Sequence, residues 1–401
     1  MNEKRQQLIS KGVQMPNPEC VDIGDDIEPN RISATGVTLY AGCKLYGKET
    51  YIAEDAQIGY EGPTTIENCY IGPRVALKCG FFRDAAFLEG ARCGWGAHIR
   101  EGTILEEKAS VAHSVGLKQT ILFPYVTLGS LINFCDCLMA GGSGPMNHSE
   151  VGSSYIHFNF TPNQDKATPS LIGDVPRGVM LNQSPIFLGG QGGLVGPCRI
   201  AYGTVIAAGS ICRKDQLIEN QLVIEGHARA GKLPYQAGVY RNIRRLLFNN
   251  IYYIGNLFAL QQWYLQIRAL FVGDKFPKAL FIGLIGTLEK GIAERMHQLN
   301  QLSEKMKESE HEAGLQKKFC GCWPEIKSTL QSLQGFSGEP KCNERFLQIM
   351  NRQISVKGKT YLYIIQSLDK SQAAAGTEWL ESIIMGVVNR ISQLLPLLQE
   401  G

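Results

Sequence analysis

The chain has little charge of either sign in excess: 40 Lys and Arg against 37 Asp and Glu leave a formal net charge of +3. That is too little to argue for nucleic acid as a partner. The opening stretch MNEKRQQLISKGVQMPNPEC contains no apolar core segment, so no signal peptide is read and a cytoplasmic location is expected. Twelve cysteines are present, but Cys135/Cys137 and Cys320/Cys322 are single C-x-C pairs without a matching half, so no zinc site and no other metal is expected. Reduced thiols are the expectation. Histidines number only seven and are not closely spaced as a metal-ligand set would be. One uncharged run, Leu246–Ile267, is long enough to span a bilayer. Six of its residues are Asn or Gln, whose amides lipid would leave unpaired. It is read as a buried core helix, and no transmembrane segment is expected.

What the sequence does have is a period of six. Phe87, Cys93, Ile99, Leu105, Val111 and Leu117 recur at that interval, as do Leu188, Leu194, Ile200, Ile206 and Cys212. Six suits neither an amphipathic helix, which needs threes and fours, nor a half-buried strand, which needs twos. It suits a coil in which each short strand donates one inward residue and then turns a corner. Four positions after the inward residues come Ala91, Ala97, Thr103, Ala109 and Val115, small or β-branched residues where the corner leaves little room. Three hexads close one triangular turn, and turns stack at about 4.8 Å like parallel strands. The expected fold is a left-handed parallel β-helix over 17–225, preceded by an extension over 1–16. The register is lost between Asp136 and Leu188, so an inserted loop is expected over 137–187, and loops on a rigid scaffold are where sites tend to be built.

After a linker over 226–238 the pattern changes to threes and fours, predicting an all-α domain over 239–401. Its partner is unknown from the sequence. No acidic residue occurs from Gly226 to Val272, while Arg229, Lys232, Arg241, Arg244, Arg245 and Arg268 do. That pattern suits either a phosphate-holding stretch or a solvated helix face.

Arg100 and Lys118 each follow an inward residue and lie eighteen residues apart. One full turn therefore separates them, and they should project from one face, aimed at a shared anion such as a phosphate. The alternative is two solvated surface cations.

The stretches AHIREGTILEEKASVAHSVGLKQ, SSYIHFNFTPNQDKATPSLIGD and IFLGGQGGLVGPCRIAYGTVIAAGSI resemble the acetyltransferase domain of the bacterial bifunctional N-acetylglucosamine-1-phosphate uridyltransferase/glucosamine-1-phosphate acetyltransferase. The similarity covers roughly Gly94–Ser210. It implies a hexapeptide-repeat N-acetyltransferase acting on a phosphorylated or UDP-linked amino sugar, with acetyl-CoA as donor and a site shared within a homotrimer. By the same resemblance Arg100, Lys118 and Lys166 fall on sugar-phosphate ligands. Asn159, Phe160, Gly190, Ala208 and, more loosely, Arg229 fall along the coenzyme site. The departures are specific. Ser130 stands where the family has its histidine general base, Asn133 where it has a tyrosine, and Glu150 where an asparagine binds the sugar. Acyl transfer to an amine needs a base titrating near neutrality, which leaves His148 and His113 as candidates for a relocated base. The Gly-rich loop of the family's nucleotidyltransferase half, LAAGxGTRM, has no counterpart in the chain. Two readings stay open: an acyltransferase-like enzyme, or a non-catalytic sugar-nucleotide-binding or trimeric assembly module derived from one.

Overall fold

A computed structural model describes residues 3–226, 231–232, 234–236, 238–240, 243–308 and 314–396. The short helix α1 (Glu3–Lys11) comes first, with Leu8 and the following Val13 buried in the core. A parallel β-solenoid then runs from Asp22 to Val223. Its strands are two to seven residues long, and consecutive turns pair in parallel on three faces. The residues of both six-residue series are buried in the interior, none more than 4% exposed. The hexads therefore mark the prism's core as expected.

The first face carries strands 44–46, 64–67, 80–83, 97–99, 116–118, 133–135, 156–158 and 193–195 in pairing order. A second carries 85–87, 103–105, 120–122, 137–139 and 170–172. The third carries 110–111, 127–128, 150–151, 187–188 and 205–206.

The six-residue series stops after Leu117 for a physical reason. Strands 116–122 and 133–139 pass from the first face to the second without a break. A single residue in the left-handed conformation turns each corner, Gln119 at φ 49° and Asp136 at φ 62°. That shortens the turn, so Leu117 pairs with Phe134, seventeen residues on rather than eighteen. The segment 137–187, expected as an inserted loop, is not one excursion. Strands 137–139, 150–151, 156–158 and 170–172 continue the stack through it, and the chain leaves the prism three times between them. Residues 140–149 include a small antiparallel pair, 159–169 form a loop, and 173–185 contain the single-turn helix α2 (Val175–Gly178).

The C-terminal region is helical, as the change of period predicts: α3 (Ile243–Gln262), α4 (Lys278–Lys307), α5 (Leu315–Leu333), α6 (Pro340–Lys357), α7 (Tyr361–Gln366) and α8 (Lys370–Leu394). Asp369 and Gln372 close α8 with a reciprocal capping box. The helices cover the second face. Its outward residues Ala86, Ile104, Ile121, Leu138 and Leu171 are all buried, and α4 packs over strands 70–71, 85–87 and 103–105. Contact is close at Gly283, where an added Cβ would lie 2.0 Å from the ring of Tyr70.

The amides of the long uncharged run are used in this docking. Asn250 donates to the Ala167 carbonyl, Asn249 to Asp215, and Asn256 accepts from the Val175 N–H. No described helix is long and apolar enough to cross a membrane. Among the described residues no three His, Cys, Asp or Glu side chains gather as a metal site would require.

Candidate functional site

On the first face Cα pairing joins Glu67 to Arg83, Lys118 to Cys135 and Phe158 to Val195, and it sets Ile99 between Phe82 and Leu117 in successive turns. Arg100 and Lys118 are thus one strand apart on one face, as their spacing predicts. The Arg100 N–H donates to the Leu117 carbonyl at 2.9 Å, which fixes that register. Lys166 arrives from the 159–169 loop. Burial raises the pKa of the Cys135 thiol, the neighbouring Asp136 raises it further, and Arg100, Lys118 and Lys166 all pull it down. Three cations proposed from the sequence therefore act electrostatically on one side chain.

One expectation is corrected. The spacing of Arg100 and Lys118 predicts a shared external anion between them, yet Glu101 already supplies a carboxylate. Its carboxylate lies 2.8 Å from the Lys118 ammonium and 3.6 Å from the Arg83 guanidinium. Burial raises the Glu101 pKa, but the hydrogen bond from Lys118 and the nearby cations outweigh it and hold it low. The cause is the corner. Gln119 donates its N–H to the Glu101 carbonyl, which seats Glu101 one turn from Lys118. Among the described residues Arg100 and Lys166 form no ion pair.

An open groove of about 520 Å³ crosses this face, lined by His98, Arg100, Gly116, Leu131, Asn133 and Ile156 among others. At its far edge is a second alignment that sequence reasoning proposed in pieces. The backbone hydrogen bonds Leu131 to His113, Ser154 to Ser130, Gln191 to Ser153 and Gly209 to Gly190 repeat one pattern from turn to turn. They stack His113, Ser130, Ser153, Gly190 and Ala208 along one corner, four rungs or about 19 Å in length. The Ser130 hydroxyl lies 2.7 Å from Nδ1 of His113. The serine at the family's histidine position is therefore itself bonded to a histidine one turn away. Beyond it the corner loses bulk: a Cβ at Gly190 would lie 2.7 Å from the Ser153 carbonyl oxygen.

His148 is placed elsewhere. It sits on the hairpin at 142–148, bonds the Pro145 carbonyl through Nδ1 and lies 3.8 Å from Glu150. Glu150 belongs to the third face, so His148 does not join Arg100, Lys118 and His113. Asn159 and Phe160 directly follow strand 156–158; Asn159 donates to Asp136 at 2.9 Å and Phe160 is exposed. Arg229 lies outside the described residues.

His157 shows what a structural histidine looks like in this fold. Cys198 N–H donates to the Ser170 hydroxyl, that hydroxyl lies 2.8 Å from Nε2, and Nδ1 lies 2.5 Å from the Cys135 carbonyl. The carbonyl can only accept, so Nδ1 carries the proton and Nε2 receives one from Ser170. Burial drives the His157 pKa down to about 4 despite the opposing pull of Asp136.

Arg295 of α4 was missed from the sequence. It pairs with Asp136 and donates to the backbone carbonyl of Lys166, so a helix contributes to seating two sides of the cation cluster. No local motif signals it, because 159 residues separate Arg295 from Asp136.

No family model matches the chain. The bifunctional protein GlmU of Pelobacter propionicus is 26% identical over 211 residues, 52% of this chain and 40% of that protein. For Thermotoga maritima GlmU the figures are 25% over 212 residues, 53% and 42%. For Thermus thermophilus GlmU they are 29% over 157 residues, 39% and 32%. The chain is similar to part of GlmU. The match spans about two fifths or less of the length of these GlmU proteins, and the parallel solenoid fits their acetyltransferase domain as the sequence resemblance described it.

Proposed function

We propose that the protein is an acyltransferase-like enzyme that binds a phosphorylated or UDP-linked amino sugar on the first face and takes an acetyl group from acetyl-CoA. The observation that carries this reading is geometric: Arg100 and Lys118 sit one strand apart on one face, Lys118 pairs in register with Cys135, and Arg100 lines the open groove. Arg100 supplies a planar fork for a phosphate and the lysines supply point charges.

The coenzyme lies along the corner of Ser153, Gly190 and Ala208, where the small residues leave room for a pantetheine arm. His113 receives the proton of the attacking amine directly or through the Ser130 hydroxyl. The base has moved back one turn of the coil, and Ser130 relays or orients it. Asn159 and Phe160, just past the strand that carries Ile156, complete the coenzyme site as the family resemblance implies. Leu131, Ile156 and Phe158 are 55%, 42% and 41% exposed on this face. That apolar surface suits coverage by a second copy, and the proposed assembly is a homotrimer with shared sites.

Lys118 already has a carboxylate partner in Glu101, and this one observation favours the second reading, a binding or assembly module without turnover. The two are separated by one pair of measurements. Calorimetry with coenzyme A and with UDP-N-acetylglucosamine tests both pockets, and release of coenzyme A thiol in the presence of glucosamine-1-phosphate tests chemistry. Binding of both ligands with thiol release supports the enzyme. Sugar-nucleotide binding without release supports a binding module, and no binding of either ligand removes the enzyme and leaves the assembly module.

A further inference from the structure

A second cavity, of about 250 Å³, lies between the solenoid and the helices, away from the cation groove. Its floor includes Arg268, a guanidinium only 1% exposed. Arg268 stacks under Tyr361 at 3.8 Å and beside Phe276 at 4.5 Å from the ring centres. One of its nitrogens pairs with Glu107, while Nε and Nη1 have no hydrogen-bond partner. Unsatisfied donors on a buried cation are costly, and they mark the place where a ligand anion would be most stabilised.

The rim reinforces the sign. Lys108, Lys275 and Lys359 line the cavity and make no ion pair among the described residues. Of the two lining carboxylates, Glu107 is taken by Arg268 and Glu89 by Arg74. One Glu107 oxygen stays buried without a partner, and the three lysines leave the cavity with an excess of positive charge. The walls are aromatic: Tyr361 and Phe276 on the helical side, and Tyr125 on the solenoid side, where the Lys108 ammonium lies 5.6 Å from its ring centre. Two loops close over it, 272–277 between α3 and α4 and 358–360 between α6 and α7.

We propose that this cavity is a second ligand site and that it binds a small organic phosphate bearing a planar ring, of nucleoside monophosphate size. A dianionic phosphate matches three free lysines, and a ring matches the aromatic walls. The site is built from the helical region together with solenoid corners, and it is independent of the acyl-transfer reading.

The test is calorimetry on the full chain with uridine monophosphate, adenosine monophosphate and inorganic phosphate. At least one nucleotide should bind tenfold or more tightly than inorganic phosphate. The double substitution Lys275→Gln/Lys359→Gln, at two exposed positions that leave the fold intact, should weaken it at least tenfold, and Arg100→Ala should leave it unchanged. The proposal is overturned if neither nucleotide binds at millimolar concentration. It is equally overturned if inorganic phosphate binds as tightly, if the double variant binds like the wild type, or if Arg100→Ala abolishes binding.

Discussion

Arg295 and Asp136 form an ion pair between α4 and a solenoid corner, with side chains only 3% and 4% exposed. Asp136 also accepts from Asn159, and Arg295 reaches the Lys166 backbone. The helical region therefore does more than cover an apolar face. Removing one partner strands a buried charge, which costs about 3–5 kcal/mol. Arg295→Leu should lower stability to denaturant by that amount. The double variant Arg295→Leu/Asp136→Leu should recover part of it, a coupling measurable by a double-mutant cycle.

Arg100→Ala and Lys118→Ala should each weaken glucosamine-1-phosphate binding by roughly ten- to a hundredfold, since a hydrogen bond to a charged group contributes about 1.5–3 kcal/mol. The expected loss is larger for Arg100, because Glu101 already shares the Lys118 charge. Thermal unfolding should be nearly unchanged by either. Equal, full-strength binding by both variants rules out the groove as the sugar-phosphate site.

His113→Ala should abolish coenzyme A thiol release while leaving ligand binding within a few fold of wild type. Ser130→Ala should reduce release less, as it removes the bridging hydroxyl and keeps the imidazole. His148→Ala, on the hairpin by the third face, should leave release unaltered. Activity that survives His113→Ala and disappears with His148→Ala reverses the assignment.

His157 gives a pH signature. Its folded-state pKa, near 4, lies below the unfolded value of about 6.5. The unfolded chain therefore binds the extra proton first as pH falls. The stability contributed by neutral His157 is present above about pH 6.5 and is lost progressively down to about pH 4. Glu106, buried and raised to about 8, works in the opposite sense over part of that range. The measurement is therefore the difference between wild type and His157→Gln: the stability gap between them should narrow on acidification from pH 6.5 to 4. A constant gap contradicts a buried neutral imidazole.

Gly283→Val should destabilise the contact between α4 and the second face by about 1–3 kcal/mol, the usual range for overpacking. The ring of Tyr70 leaves no room for a Cβ, and its hydroxyl is held by Glu49 at 2.9 Å. Limited proteolysis should cleave the helical region of this variant faster than that of the wild type.

The hexads made the solenoid legible because an inward residue every six positions is a covalent fact of the turn length. They failed between Asp136 and Leu188 because single-residue corners at Gln119 and Asp136 shorten the turns, and three excursions then lengthen others. The outward column Ala86, Ile104, Ile121, Leu138 and Leu171 was a readable sign that one face would be covered, since a bare face would carry polar residues there. Of the helices, α3, α4 and α8 announced themselves by long apolar periods. The shorter or more polar α5, α6 and α7 did not. Arg100 and Lys118 could be placed from spacing alone, whereas Glu101 on Lys118, His113 on Ser130 and Arg295 on Asp136 depend on where corners and helices come to rest.

Covering a single side of the prism has a consequence for assembly. A bare triangular coil offers three nearly equivalent flanks, and neighbours can approach from any of them. Here the helices occupy one flank permanently, so the molecule has a back and two working sides. An additional copy that packs against the coil itself must lie on the side that holds Arg100 or the side that holds Glu150.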